Sequence, residues 1–183
     1  MQEDINNAIK ILQNGGVILY PTDTIWGIGC DATNEEAVKR VYEIKKRQDT
    51  KSMLVLLNNI NFIRSYVDDV PEVALDIVEL SEKPVTIIYS NAKNLAKNLI
   101  AEDGSIGIRI TTEEFTDKLL KKFRKPIVST SANISGEKFN GDFNDISDEI
   151  KNNVDYIVKY NQNINTPQTP SSIIKIGSDN QVL

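Results

Sequence analysis

The sequence predicts a single α/β domain, residues 1–183, built on a largely buried, twisted mixed sheet with helices packed on it. Three observations carry that reading. Strand-like apolar runs alternate irregularly with amphipathic helical segments, and several of the runs are apolar throughout, as in sheets covered on both faces. No internal repeat, Gly/Ser linker or low-complexity tract divides the 183 residues. A chain of that length is ordinary for one domain and buries roughly two thirds of its unfolded surface, so it needs no disulfide.

The first element reads as a helix, with Ile5, Ala8, Ile9 and Leu12 on one face and Gly15-Gly16 stopping it. Val17–Tyr20 is a strand running into a Pro21 turn, and Trp26–Asp31 is a second, Gly-rich extended segment. Thr33-x-x-Glu36 is a capping-box pattern opening a helix with Ala37, Val38, Val41 and Tyr42 on its apolar face. That helix ends in Lys45-Lys46-Arg47, part of which can answer the helix dipole. Met53–Leu57 is a continuous apolar strand. Pro71 suits the first position of a helix carrying Val73, Ala74, Ile77, Val78 and Leu80. Val85–Tyr89 and Ile106–Ile110 follow as strands. Thr111-x-x-Glu114 is a second capping box, before a stripe of Phe115, Leu119 and Phe123. Ile127–Thr130, Tyr156–Val158 and Ser172–Ile176 complete the strands. The polar stretches 136–151 and 161–169 read as surface loops, and loops of that length can also act as lids.

Composition narrows the chemistry. The chain has one cysteine, Cys30, and no histidine. That excludes an internal disulfide, a Cys-cluster zinc site, a Ser-His-Asp triad and every His-ligated metal. A net charge of −5 argues against a dedicated nucleic-acid coat. No apolar run approaches the ~20 residues of a membrane span. Met1–Lys10, mixed polar and acidic, does not resemble a secretory signal, so a cytoplasmic protein without membrane attachment is expected.

Three clusters of hydroxyl, amide and cationic groups follow or lie within strands, where α/β folds place ligands. In Pro21-Thr22-Asp23-Thr24-Ile25-Trp26-Gly27-Ile28-Gly29, two threonines flank an aspartate and the glycines permit close approach. A tight turn closed by side-chain hydrogen bonds accounts for the same residues, and turn chemistry alone slightly favours it. In the second cluster, Arg47 can grip an anion bidentately and Lys45 and Lys51 as point charges; a solvated basic helix end is the commoner origin of such a cluster. In Ser129-Thr130-Ser131-Ala132-Asn133-Ile134-Ser135-Gly136, Ser129 and Ser131 share one face of an extended segment. It is neither a P-loop nor a Gly-x-Ser-x-Gly elbow. Together the clusters outline an anion-binding pocket without a general base, suited to phosphoryl or nucleotidyl transfer driven by positioning and electrostatics.

The same segments, Tyr20–Gly29, Lys45-x-Arg47 and Ser129–Gly136, in this order and spacing, resemble the YrdC/Sua5/TsaC family. The likeness extends through Lys83-Pro-Val-Thr86, Gly107-Ile-Arg109 and Pro170-Ser-Ser-Ile-Ile174, nearly the whole chain. The resemblance implies a single YrdC-like domain with a concave ligand cavity. It implies synthesis of threonylcarbamoyl-adenylate from L-threonine, bicarbonate or carbon dioxide, and ATP, for threonylcarbamoylation of tRNA by a downstream transferase machinery. Carried across by position, it assigns catalysis to Lys45 and Arg47. It assigns the nucleotide to Arg47, Lys51, Thr86, Ser131 and Asn133, and threonine to Thr22, Thr24, Ser129 and Ser171. Arg109 and Ser172 would line the site, and Mg²⁺ would be held by the ATP phosphates.

Three departures stand out. Thr111 replaces a frequent proline, Leu56 stands where some members carry histidine, and the chain ends at Val182-Leu183 without the arginine that usually follows the last strand. The contrasting expectation is an RNA-binding or assembly factor on the same fold, binding tRNA weakly and lacking synthase activity. The intact Lys-x-Arg pair favours the enzyme.

Overall fold

The computed structural model describes residues 1–47, 53–164 and 169–176. In chain order the elements are α1 (Gln2–Gln13), β1 (Ile18–Tyr20), β2 (Gly27–Gly29), α2 (Glu35–Ile44), β3 (Leu54–Leu57), α3 (Glu72–Leu80), β4 (Val85–Tyr89), β5 (Ile106–Ile110), α4 (Glu114–Phe123), β6 (Ile127–Ser131), α5 (Asp148–Asn153), β7 (Tyr156–Ile157) and β8 (Ser172–Lys175). Two 3₁₀ turns, Ile60–Ser65 and Phe143–Asp145, complete the set.

The eight strands form one mixed sheet in the order β7-β1-β2-β6-β3-β5-β4-β8. β7/β1, β3/β5 and β4/β8 pair in parallel, and the remaining neighbours are antiparallel. Alternation sends Ile18, Tyr20, Leu56 and Ile127 to a core shared with α1 and α4. Leu19, Ile28, Val55 and Val128 go to a larger core shared with α2. Burial on both faces explains why the central strands are apolar without interruption. Among the described residues no helix is long and apolar enough to cross a membrane.

The helix faces follow the predicted periodicity, but their starts do not. Asn34, not Thr33, caps α2 by accepting from the Ala37 amide at 3.1 Å, while Thr33 bonds Asp31. Glu113, not Thr111, caps α4, its carboxylate accepting from the amides of Phe115 and Thr116. Thr111 instead donates its amide to the Leu57 carbonyl, a bond a proline there would lack. Pro71 is the N-cap of α3 rather than its first residue, and Leu80, the last residue of that helix, is 82% exposed. The stretch read as a loop over 136–151 runs into α5, which begins at Asp148 and is capped by Ser147.

Tight packing centres on β2. A Cβ on Gly29 would lie 2.7 Å from the Tyr20 ring and closer still to the Val128 carbonyl, which accepts from the Tyr20 hydroxyl. Neighbouring Cys30 is fully buried and its thiol is pushed up by burial. Gly29→Ala is therefore expected to destabilise the protein by about 1–3 kcal/mol through overpacking. At about 2–4 °C per kcal/mol for a chain of this size, differential scanning calorimetry will read a fall of several degrees in Tm. An unchanged Tm would show that both the Tyr20 ring and the facing β6 backbone give way freely.

Candidate functional site

The sheet register gathers the predicted clusters. β6 is antiparallel to both β2 and β3, pairing Gly27 with Ser131 and Leu54 with Ser129, so its C-terminal end meets the starts of both neighbours. The turn after β1 reaches the same place because Tyr20 pairs with Gly27. From the other half of the sheet, β5 contributes Arg109, paired with Thr86 of β4, and the approach to β8 contributes Pro170 and Ser171. The resulting cavity, about 130 Å³, is lined by Thr24, Gly27, Arg109, Ser129, Ser131 and Ser171, with Ile25, Leu54, Thr130, Pro170 and Ile173. It is far smaller than the ~300–1,000 Å³ pockets that enclose a drug-sized ligand, and it suits a group of amino-acid size. Gly27 allows close approach in its wall: a Cβ there would lie 3.2 Å from the Thr130 carbonyl and 3.5 Å from Ser129 Oγ.

Arg109 is the charge of this cavity. Its side chain is 4% exposed; Nη2 forms an ion pair with Asp23 Oδ1 at 3.0 Å. Nη1 donates to Ser171 Oγ at 3.2 Å, and Ser171 in turn shares a 2.8 Å hydrogen bond with Thr86 Oγ1. The Nε–H has no acceptor among the described residues. Burial pushes the Asp23 carboxyl up, opposed chiefly by the Arg109 charge. Burial also raises Glu113, the α4 cap whose charge reaches Asp23.

The Lys45-Lys46-Arg47 cluster is a Schellman helix end rather than a last-turn dipole match. Lys45 is the C-cap of α2, and Lys46 sits in the left-handed region at φ 50°. The amides of Lys46 and Arg47 return to the carbonyls of Glu43 and Tyr42. This turn sends the two lysines to opposite surroundings. Lys46 pairs with Glu149 at the surface at 2.7 Å. Lys45 is 1% exposed, and its Nζ donates to the carbonyls of Ser131 (2.5 Å) and Asn133 (2.8 Å). Ser131 Oγ and Asn133 Oδ1 stand at 3.3 Å from the same nitrogen. Burial, reinforced by the Arg47 charge, pushes Lys45 down to about 7. Four converging oxygens oppose that, because a neutral amine offers only two N–H donors to them. The Lys45 carbonyl also accepts from the Ser135 amide, so one residue holds the 131–135 turn by both ends. Arg47 is half-buried, and burial lowers its pKa.

The remaining candidates divide between the cavity and its supports. Thr24, Ser129, Ser131, Ser171 and Arg109 reach the cavity wall. Thr22 stands behind the wall, its hydroxyl donating to the Ile25 carbonyl at 2.7 Å and lying 3.1 Å from the Thr24 hydroxyl. The tight-turn reading of that segment is realised, and Thr24 also reaches the cavity wall. Thr86 supports Ser171, and the Asn133 amide is engaged by Lys45 and by the Glu137 carbonyl. Ser172 is exposed on the edge strand. Lys51 lies outside the described residues. Leu56, at the position where some similar chains carry histidine, is fully buried in the α1–α4 core and does not line the cavity. The sequence reading missed Asp23 as the partner of Arg109. An acidic residue between two threonines was its one signal. It also missed Phe143, whose ring packs on Trp26 at 4.8 Å and ties the 137–147 segment to the site turn.

The chain resembles known proteins in sequence and in fold. A Sua5/YciO/YrdC family model, described as "Telomere recombination", matches residues 10–183. A threonylcarbamoyl-AMP synthase of Pseudoalteromonas translucida is 38% identical over 139 residues, 74% of each chain. The crystal structure of Escherichia coli YciO superposes with a TM-score of 0.84 at 26% identity, covering 98% of this chain and 86% of the other. Pyrococcus abyssi Sua5, crystallised with L-threonine, shares the fold at a TM-score of 0.82 and 22% identity, over 93% of this chain and half of its own.

The two lysines separate in their expected effects. Lys45→Met removes the Nζ donor from the Asn133 carbonyl, at a cost of about 1–3 kcal/mol, while the Ser131 carbonyl keeps the Asn133 amide. Lys46→Ala removes only an exposed pair worth about 0–1 kcal/mol. Urea denaturation of both variants will test this, and equal midpoints would remove Lys45 from the architecture of the 131–135 turn.

Proposed function

The chain belongs to the Sua5/YciO/YrdC family, and from that premise we propose that it is a threonylcarbamoyl-AMP synthase, joining L-threonine, bicarbonate or carbon dioxide, and ATP. The observation that carries this reading is the small hydroxyl-lined cavity with the buried Arg109 guanidinium in its wall. A free α-amino acid brings a carboxylate to answer that guanidinium, in a low-dielectric site where a charge-assisted hydrogen bond is strong. Thr24, Ser129 and Ser171 supply hydroxyls for its remaining polar groups.

With the carboxylate held by Arg109, the amine faces away from the buried end. It adds to carbon dioxide, forming the N–C bond of a carbamate and releasing a proton. A carbamate oxygen then attacks the α-phosphorus of ATP; the bond to the bridging oxygen breaks and pyrophosphate leaves. No protein nucleophile takes part, which suits a chain with neither histidine nor an exposed cysteine. The protein contributes positioning and electrostatics. The 130 Å³ cavity cannot enclose a nucleotide as well, so ATP lies across its mouth, along Ser131 and the turn that Lys45 holds. Arg47 leaves the same helix end two residues later and clamps the phosphates. The cavity wall offers hydroxyls and a cation rather than carboxylates, so Mg²⁺ would be held by the ATP phosphates and would neutralise their charge. The product passes to a tRNA threonylcarbamoyl transferase in the cytoplasm.

Pyrophosphate release from ATP and Mg²⁺, with threonine and bicarbonate each added or withheld, tests the assignment. Release that needs both is expected; a folded protein that releases none, or one that binds tRNA without turnover, excludes it. Arg47→Ala is expected to lower kcat/KM by roughly 30- to 1,000-fold, equivalent to about 2–4 kcal/mol of lost phosphate stabilisation. Near wild-type turnover would remove Arg47 from the mechanism.

A further inference from the structure

We infer that Asp23 is a positioning residue for substrate threonine, acting through Arg109 without touching the substrate. This rests on the synthase reading and extends it one layer behind the cavity wall.

Asp23 is chemically conspicuous. Its side chain is 5% exposed and both carboxylate oxygens are shielded from solvent. Yet it does not line the cavity, whose wall takes its neighbours Thr24 and Ile25 instead. A carboxylate so placed can neither meet the substrate amine nor carry its proton to water. What it does touch is Arg109, at 3.0 Å. The other charged or titratable groups around it are Glu113 at the head of α4 and Tyr20 of β1, neither able to neutralise it.

The consequence for Arg109 is geometric. A guanidinium is a planar fork, so two anchored ends fix its plane and its rotation. Asp23 anchors Nη2 from the turn after β1, and Ser171 anchors Nη1 from the approach to β8. The strand bearing Arg109 lies between these supports in the sheet order, with β1 on one side and β8 on the other. The guanidinium is thereby held in one orientation in the cavity wall. A lone arginine on a flexible stem would sample many, and misplacement of about 1 Å can cost 10²-fold in rate. Asp23 also keeps the guanidinium compensated before substrate arrives, since an unpaired buried cation is strongly disfavoured. Serine hydroxyls alone cannot do this, because they carry no charge.

The test is a double-mutant cycle on the full chain, with L-threonine as the titrant in calorimetry and ATP affinity and Tm measured in parallel. Asp23→Asn preserves shape and removes charge. It is expected to weaken threonine binding about 10- to 100-fold while leaving ATP affinity within about twofold, a split that general loss of structure would not produce. In an Arg109→Met background the same substitution should have no further effect on threonine. Unchanged threonine affinity in Asp23→Asn, or equal losses in both backgrounds, overturns the inference. Should Asp23→Asn alone fail to fold, stability decides: the double variant is expected to be at least as stable as Arg109→Met, and a less stable double variant overturns the pairing. An Arg109→Met variant that binds threonine normally also overturns the inference, whereas a wild-type protein that binds no threonine removes the synthase reading on which it stands.

Discussion

The site depends on the register of β6. This strand alone belongs to both halves of the sheet, with β2 on one side and β3 on the other, both antiparallel to it. Because side chains alternate with a period of two, a slip of one residue would send Ser129 and Ser131 to the opposite face and bring Val128 and Thr130 in their place. Val128 and Ile127 lie in different cores, so such a slip would also turn both cores inside out. The hydrophobic partition on the two faces therefore fixes, at no separate cost, the hydroxyls at the strand's end.

Two buried cations build on that frame, and each is answered by residues far away in the chain. Lys45 meets the 131–135 turn 86 and 88 residues later. Arg109 meets Asp23 and Ser171, one on each side in sequence. Their roles differ. The Lys45 ammonium is surrounded by oxygens of the protein and shapes a turn. Arg109 lines the cavity instead, with its two ends anchored to Asp23 and Ser171. Both are basic residues near a strand or helix end, and composition alone does not distinguish them.

That contrast marks where the sequence stops being informative. Strands and helix faces are legible because they follow from periodicity, and every predicted strand is present within a residue or two. The caps were misplaced because several neighbouring polar residues can each accept the free amides; packing chose Asn34 and Glu113 over Thr33 and Thr111. Helix α5 is short and mostly polar, with Ile150 its one buried side chain, so it leaves no stripe to detect. In the site, the three clusters were visible as residue types. Their division into wall and support was not, because the depth of Lys45, the Thr22 hydroxyl turned back on its own loop and the Asp23–Arg109 pair arise only when distant segments meet.

The placement of Cys30 has a practical consequence. It is the chain's sole thiol, fully buried beside β2 in the larger core. A reagent in solution can meet it only when the β1–β2 hairpin lifts away from β6 or the protein unfolds more widely. The speed of alkylation under native conditions thus clocks the opening of the half-sheet that carries the Thr22–Thr24 turn. Any small molecule that ties that turn to the β5 side will lengthen the interval between openings, so the native chain carries its own occupancy reporter with no label added.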